Sequence, residues 1–511
     1  MLLCFALIMI QLVNIQFRRA PALASSPLNP ASTAKHFNNF RGSIYASNGA
    51  LLAYSVKAKS GPYEYQRVYP YGSLYSGIVG YDSIFYGTSG IEYEYNKQLT
   101  VHNHPPQTLS QVLLGQRPPP TADDVILTVD PYLQNVAENA LTTLPPGKNK
   151  DGAVVVLDPA TGAVLAMVST PNFNPNPLAS PNIATEEKAH YIDSLPDHEG
   201  FSPLVPMAIG DSFPPGSTFK VVTSTAVYNL KPSLANFNFP PAVGLSFPDS
   251  NKILYNYGHV ACGGTLAQML PPSCDPGYGE LGIQLGPSIM YKQANLFGFN
   301  SIPGIDIPGA VPSVFPSPAQ VGVGNLPFQA YDAIGQYNVR ATALQAAMTA
   351  ATIANGGITM TPHLMAQIRG AQGNVVETYT PKALPRTASA SAAAQVSSLM
   401  QLVPKVPNGT AYGTISLNLN AAVKTGTSQV QAPGVTPQTD DWMIGFAPAT
   451  GGTPKIAIAV VLPSQAGYGT GAGMAGPIVN TIMEAALHEP PVGSAGNPSP
   501  VGSANNSSPL K

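Results

Sequence analysis

The sequence predicts an α+β fold in two parts: a β-rich N-terminal domain, then an antiparallel sheet with flanking helices. Three observations predict it. The chain has 511 residues, more than one ordinary domain holds. Residues 18–150 are rich in Tyr, Gly, Ser and Pro and lack long helical periodicity. Residues 151–488 open with strand-like runs, continue with helical patterns and return to strands, so the sheet must close by pairing distant segments.

Composition narrows the function classes. Hydrophobic residues make up 44% and charged residues only 10%, with a net charge of −2. No basic run occurs, so a surface that tracks phosphates is not expected and no nucleic acid partner is predicted. The 53 prolines and 48 glycines are dispersed rather than periodic, which predicts many loops but neither a collagen-like nor a fully disordered chain.

Residues 1–17 (MLLCFALIMIQLVNIQF) are mostly apolar and are followed by Arg18 and Arg19. As a helix they would span roughly 25 Å, a little short of a bilayer core. A membrane anchor that begins further upstream is the preferred reading. It also accounts for arginines on the side where the positive-inside tendency disfavours them. A cleaved signal peptide, using the small residues around Ala22-Leu23-Ala24, and a buried core helix are the competing readings. The first two place the bulk of the chain outside the cytoplasm.

Residues 18–150 read as short strands and turns. Val125-Ile126-Leu127-Thr128-Val129 is strand-like, and Asp130-Pro131 then opens a helix with Leu133, Val136, Ala137 and Ala140 on one face. Gly152 to Thr170 reads as a hairpin around Asp158-Pro159-Ala160-Thr161-Gly162. Helical patterns follow around 217–230, 278–299, 342–355 and 388–403, and strands around 421–426, 442–447 and 455–463. The Pro/Gly/Ser/Asn-rich residues 489–511 are expected to be a disordered tail.

Of three cysteines, Cys4 lies in the apolar segment, while Cys262 and Cys274 form either a disulfide or two buried thiols. Spacing alone does not decide between these. No His/Cys cluster has metal-ligand spacing, so neither a metal nor a cofactor is expected.

Two short motifs carry chemistry. In Phe213-Pro214-Pro215-Gly216-Ser217-Thr218-Phe219-Lys220, the Pro-Pro-Gly loop ends where a helix begins. Ser217 therefore sits at a helix N-terminus with Lys220 one turn on along the same face. A serine hydroxyl becomes a nucleophile when a neighbour takes its proton. A buried lysine does that once its pKa is lowered, and a helix N-terminus offers N–H groups to an oxyanion. Ser-x-x-Lys alone is common, and serine often merely caps a helix. The second motif, Lys424-Thr425-Gly426-Thr427, lies on a strand, where a cation and two hydroxyls beside an open backbone edge suit a substrate carboxylate.

Together, Ser-x-x-Lys and a downstream Lys-Thr-Gly form the signature of the penicillin-binding and serine β-lactamase group. The chain resembles the class B penicillin-binding proteins, closest to their actinobacterial cell-division members, along nearly its whole length. The resemblance runs through Arg41-Gly42-Ser43-Ile44-Tyr45, Arg67-Val68-Tyr69-Pro70, Ser89-Gly90-Ile91-Glu92, Ile334-Gly335-Gln336 and Asp441-Trp442-Met443-Ile444-Gly445-Phe446. It implies a transpeptidase domain of penicillin-binding/serine β-lactamase type over 151–488, on an elongated N-terminal pedestal over 18–150. No glycosyltransferase-like region precedes the pedestal.

On this resemblance Ser217 would be acylated and Lys220 would take its proton. Lys424 would set the electrostatics, and Thr425, Gly426 and Thr427 would line the substrate. The N–H groups of Ser217 and Thr427 would form the oxyanion hole. Ser273-Cys274-Asp275 occupies the place of the group's Ser-x-Asn motif, with Ser273 relaying a proton. Asp275 departs from the pattern, because an ionised carboxylate cannot donate to the substrate and would hold Lys220 charged. Asp275 is therefore protonated, acts only on Lys220, or impairs the enzyme.

The implied activity is a peptidoglycan D,D-transpeptidase, acting on D-Ala-D-Ala stem peptides and inhibited by β-lactams. A D,D-carboxypeptidase and a catalytically impaired scaffold are the alternatives. The implied partners are the membrane and a polymerising glycosyltransferase of the division or elongation machinery.

Overall fold

The computed structural model describes residues 36–488 except 62, 105–112, 115–118, 145–149, 198–199, 249, 323, 431–437 and 467–468, together with the isolated Gln11 and Asn14. The apolar segment 1–17, apart from those two residues, and the tail 489–511 thus lie outside the described residues.

In the N-terminal part, strands β1 (Ile44–Tyr45), β2 (Leu51–Lys57), β3 (Tyr65–Val68) and β4 (Asp124–Leu127) are followed by helix α1 (Pro131–Thr143). Asp130 caps α1 by accepting from the Tyr132 and Leu133 N–H groups, and Pro131 fills the first turn as the sequence predicts. The reading of short strands and turns is incomplete, because Ser76–Val79, Gly90–Glu94 and Asn96–Leu99 are helical. Segments of four or five residues are too short to show a 3.6-residue period, and packing of Ile78, Ile91 and Leu99 stabilises them instead.

The second part begins with the hairpin β5 (Gly152–Leu157) and β6 (Val164–Thr170). Its later elements are α2 (Lys220–Leu230), α3 (Asp275–Leu285), α4 (Ala343–Ala354), β7 (Met365–Arg369), β8 (Val375–Thr378) and α5 (Ala390–Lys405). β9 (Ala422–Val430), β10 (Gln438–Ala447), β11 (Ile456–Ala466) and α6 (Gly471–Leu487) complete it. The pattern expected as one helix over 278–299 is broken at Gly286, whose φ of +78° ends α3 before a second helix over Pro287–Leu296.

Five strands form one antiparallel sheet in the order β9-β10-β11-β5-β6. First and last segments of this part pair through β11 and β5, the distant closure that the strand–helix–strand order predicts. β10 is buried along almost its whole length, which requires cover on both faces. Helices α4 and α6 both pack on β10 and β11 and supply that cover, with α1 lying against α6 and β6. β9 is the edge strand, and its outer side meets the turn Gly216–Phe219 and helix α5.

The other large sheet has the order β8-β7-β4-β1-β2-β3, so β7 and β8 return from the second part of the chain to extend it. At its centre Glu92 is fully buried between Arg41 and Arg67, 2.7 Å and 2.6 Å away, with Tyr69 donating at 3.2 Å. A carboxylate this deep requires paired cations, and the two arginines supply them.

Candidate active site

The site assembles where the first turn before α2, the loop before α3 and edge strand β9 converge. Proline and glycine shape the first of these. Gly216 has φ +52° and donates its N–H to the Gly335 carbonyl at 2.9 Å. The Pro214 carbonyl accepts from Trp442 Nε1 at 2.9 Å and from Ser428 Oγ at 2.7 Å, fastening the loop to β9 and β10. Thr218 Oγ1 donates back to the Pro215 carbonyl at 2.8 Å. Ser217 is held in the 3₁₀ turn Gly216–Phe219, partly exposed, and the chain runs directly into α2. Phe219, stacked on Phe315 at a centroid distance of 5.2 Å, anchors the turn from below.

Lys220 and Lys424 are both fully buried. Ser273 Oγ bridges them, accepting from Lys424 Nζ at 2.9 Å and from Lys220 Nζ at 3.1 Å. Lys220 also donates to the Ser273 carbonyl at 2.7 Å and to Asp275 Oδ1 at 2.6 Å. These hydrogen bonds turn its ammonium toward the α3 loop, and none goes to Ser217 among the described residues. Lys424 Nζ further donates to the Thr425 carbonyl at 2.9 Å, and Thr425 Oγ1 pairs with Thr410 Oγ1 at 2.7 Å. Thr427 Oγ1 accepts from the Gly471 N–H at 3.0 Å at the start of α6.

The α3 loop is unusual in backbone and cross-linking. Ser273 has φ +61°, a left-handed conformation uncommon for serine, which lets its carbonyl and its hydroxyl both face Lys220. Cys274 is bridged to Cys262 with a Cα–Cα distance of 5.6 Å. Asp275 opens α3, where the helix dipole favours its negative charge, and its N–H donates to Asn256 Oδ1 at 3.2 Å.

Burial pushes the Lys220 amine below the ordinary lysine range, and Asp275 opposes this through its charge and hydrogen bond without reversing it. Lys424 is pushed well below that range, by burial first and then by the Lys220 charge, against a weaker opposing pull from Asp275. Desolvation thus outweighs the carboxylate at both amines. The expectation that Asp275 would dominate Lys220 is corrected in that respect, although the ion pair itself is present.

A partly exposed serine at a helix start, two buried lysines of depressed pKa and a hydroxyl linking them can activate a nucleophile and pass its proton on. The family model described as "Penicillin binding protein transpeptidase domain" matches residues 152–484. The chain belongs to the penicillin-binding protein transpeptidase family. "Penicillin binding protein A dimerisation domain" matches residues 41–119. The chain is 34% identical over 504 residues to the peptidoglycan D,D-transpeptidase PbpA of Mycobacterium tuberculosis, covering 95% of this chain and 97% of that one. It is 32% identical over 479 residues to PbpA of Mycolicibacterium smegmatis, covering 92% and 94%. A solved structure of penicillin-binding protein A from M. tuberculosis as a penicillin G acyl-enzyme superposes with a TM-score of 0.75 at 32% identity, covering 88% of this chain and all of that one.

In this penicillin-binding protein the structure brings Lys220, Ser273, Asp275, Lys424 and Thr425 into one hydrogen-bonded cluster beside Ser217. Sequence reasoning missed four supporting residues. Asn256 holds the Asp275 backbone, Tyr278 places its ring 5.4 Å from Lys220 Nζ, and Ser428 and Trp442 hold the nucleophile loop. Trp442 is the chain's only tryptophan and fully buried, the one signal that could have marked it.

Proposed function

We propose that this chain cross-links peptidoglycan as a D,D-transpeptidase through an ester on Ser217. The observation that supports it most is the contact series Lys220–Ser273–Lys424, fully buried at both lysines and set beside a serine on a helix start. Ser217 Oγ attacks the carbonyl of the penultimate D-Ala and loses its proton to the amine of Lys220 in its neutral form. The C–N bond to the terminal D-Ala breaks, and the leaving amine takes a proton relayed through Ser273 between the lysines. The N–H groups of Ser217 and Thr427 receive the oxyanion, and Thr425, Thr427 and the backbone at Gly426 line the donor peptide along edge strand β9. An amine of a second stem peptide then attacks the ester, forming the cross-link and freeing Ser217.

β-Lactams present the same acyl chemistry and stop at the ester. Residues 1–17 serve as a membrane anchor that leaves the site outside the cytoplasm. A polymerising glycosyltransferase supplies strands to be joined, since this chain carries no such region of its own. Among the described residues no helix is long and apolar enough to cross a membrane.

Incubation with a fluorescent penicillin tests the reading. Covalent label on the wild type and none on Ser217→Ala is expected, and an unlabelled wild type overturns it. The 2.6 Å Lys220–Asp275 contact favours a second reading, a scaffold too slow to acylate, and that reading gains from an unlabelled but folded wild type.

A further inference from the structure

Outside the active site, the pedestal carries a group of side chains that the proposed reaction does not use. His102 and Thr121 form an antiparallel bridge, so His102 and His104 on one segment and Thr121 and Asp123 on the other share a face. His102, His104 and Asp123 each offer one ligand atom, and these three atoms lie within 4.8 Å of one another. Asp123 is 2% exposed and His104 6%, while His102, at 25%, keeps one side open. Spacing along the sequence gave no metal site, because Asp123 reaches the histidines only through the fold.

Hydrogen bonding fixes the chemistry of this group. His102 Nδ1 lies 2.8 Å from the Thr100 carbonyl, which can only accept, so Nδ1 carries the proton. In the neutral ring Nε2 then presents a lone pair, 3.3 Å from Asp123 Oδ2. A lone pair facing a buried carboxylate requires a cation between them. Asp123 Oδ1 is buried without a hydrogen-bond partner, and His104 Nε2 stands 3.7 Å from it, too far for a hydrogen bond. A proton on one imidazole satisfies one of these contacts and leaves the other open. An ion with bonds of about 2.0 Å in a tetrahedral field separates its ligands by about 3.3 Å, close to both spacings.

We propose that His102 Nε2, His104 Nε2 and Asp123 bind a divalent transition ion, Zn2+ before others, with water in the fourth position. The carbonyl behind His102 Nδ1 is the outer partner that orients a metal-bound imidazole. In the loaded site His104 is protonated on Nδ1, and the Thr121 hydroxyl, 3.0 Å from Nε2, turns away. The ion joins segments 102–104 and 121–123 at the base of the intervening chain.

The test uses the full chain in detergent, without a histidine tag and stripped of metal. Dialysis against ZnCl2 followed by metal analysis is expected to give one Zn2+ per wild-type chain. Affinity should fall roughly tenfold or more in His102→Ala, His104→Ala and Asp123→Asn, with wild-type circular dichroism. Co2+ loaded into the wild type should show the intense visible bands of a tetrahedral ion, bleached by Zn2+, which decides the matter even where a variant misfolds. Substoichiometric zinc, weak octahedral Co2+ bands or variants that bind as the wild type overturn the site. A wild type that takes no zinc, and whose melting point falls through the histidine range only while His102 is present, assigns the cluster to a His–Asp ion pair instead.

Discussion

Replacing Asp275 with asparagine should make Lys220 a more available base. The carboxylate lies 2.6 Å from Lys220 Nζ and its side chain is 21% exposed. At an effective dielectric near 20, two unit charges at that distance attract by about 6 kcal/mol, which bounds the effect from above. Desolvation already opposes part of this attraction, so the net loss corresponds to about 1–3 pKa units, or ~1.4–4 kcal/mol. The sign is fixed: without the carboxylate the charged amine is less stable, its pKa falls further, and the neutral fraction at a given pH rises. The acid limb of β-lactam acylation should move down by about 1–3 pH units, with a rate gain of about tenfold on that limb. Gains on the plateau should be smaller, because a weaker base accepts the proton less readily. Stopped-flow acylation from pH 5 to 9 with a chromogenic β-lactam measures both. Asp275→Ala controls for the new amide, and should show the same shift of the limb with weaker binding. An unmoved limb, or rates at neutral pH equal to or below the wild type, would refute the claim that Asp275 restrains Lys220.

Three other perturbations have defined outcomes. The Cys262–Cys274 bridge closes a 12-residue separation, so Cys262→Ala/Cys274→Ala should lose about 3 kcal/mol by urea unfolding, and an unchanged midpoint would contradict this. Gly335 has φ +74°, and a Cβ there would collide with the Gly216 carbonyl, so Gly335→Ala should slow acylation at least roughly tenfold while lowering stability by a few kcal/mol. Asp441 is fully buried opposite Thr427, and burial raises its carboxyl from 3.8 to about 7. A folded pKa above the unfolded one contributes stability that is fully present below about pH 4 and lost as pH rises through about 7. Asp441→Asn should therefore flatten the stability profile over that window by a few kcal/mol, seen as melting points that converge at low pH and diverge at pH 8.

Much of this fold was legible because its signals are local. Asp130-Pro131 marks the start of α1, and Asp158 to Gly162 marks the turn between β5 and β6. The apolar runs of β9, β10 and β11 are long enough to read without tertiary context. Short pedestal helices were not legible, since their stability lies in burial of one or two side chains each. Nor was the return of β7 and β8 to the pedestal sheet, because pairing of β7 with β4 across more than two hundred residues leaves no mark on either segment. In the site, Ser217, Lys220 and Lys424 stand in recognisable motifs. The left-handed turn at Ser273 and the Asn256 contact to Asp275 depend on how two loops meet, and only coordinates display them.

The relative charge of the two lysines is the property that no motif encodes. Both amines donate to one hydroxyl, Ser273 Oγ, and a second buried positive charge so near the first is costly. One proton is therefore easily lost from the pair, and Asp275 biases which amine loses it. Lys220 is held by the carboxylate at 2.6 Å, whereas Lys424 forms no ion pair among the described residues and is the more strongly depressed. The neutral amine of the resting site is then Lys424, at the far end of the series from Ser217. On the roles proposed here, the Ser217 proton reaches it only after Lys220 has passed its own through Ser273. An asparagine at 275 removes that bias and lets Lys220 rest neutral beside the nucleophile. The acid limb reports which lysine carries the resting proton, so it separates this ordering from a site where Asp275 only shapes the pocket.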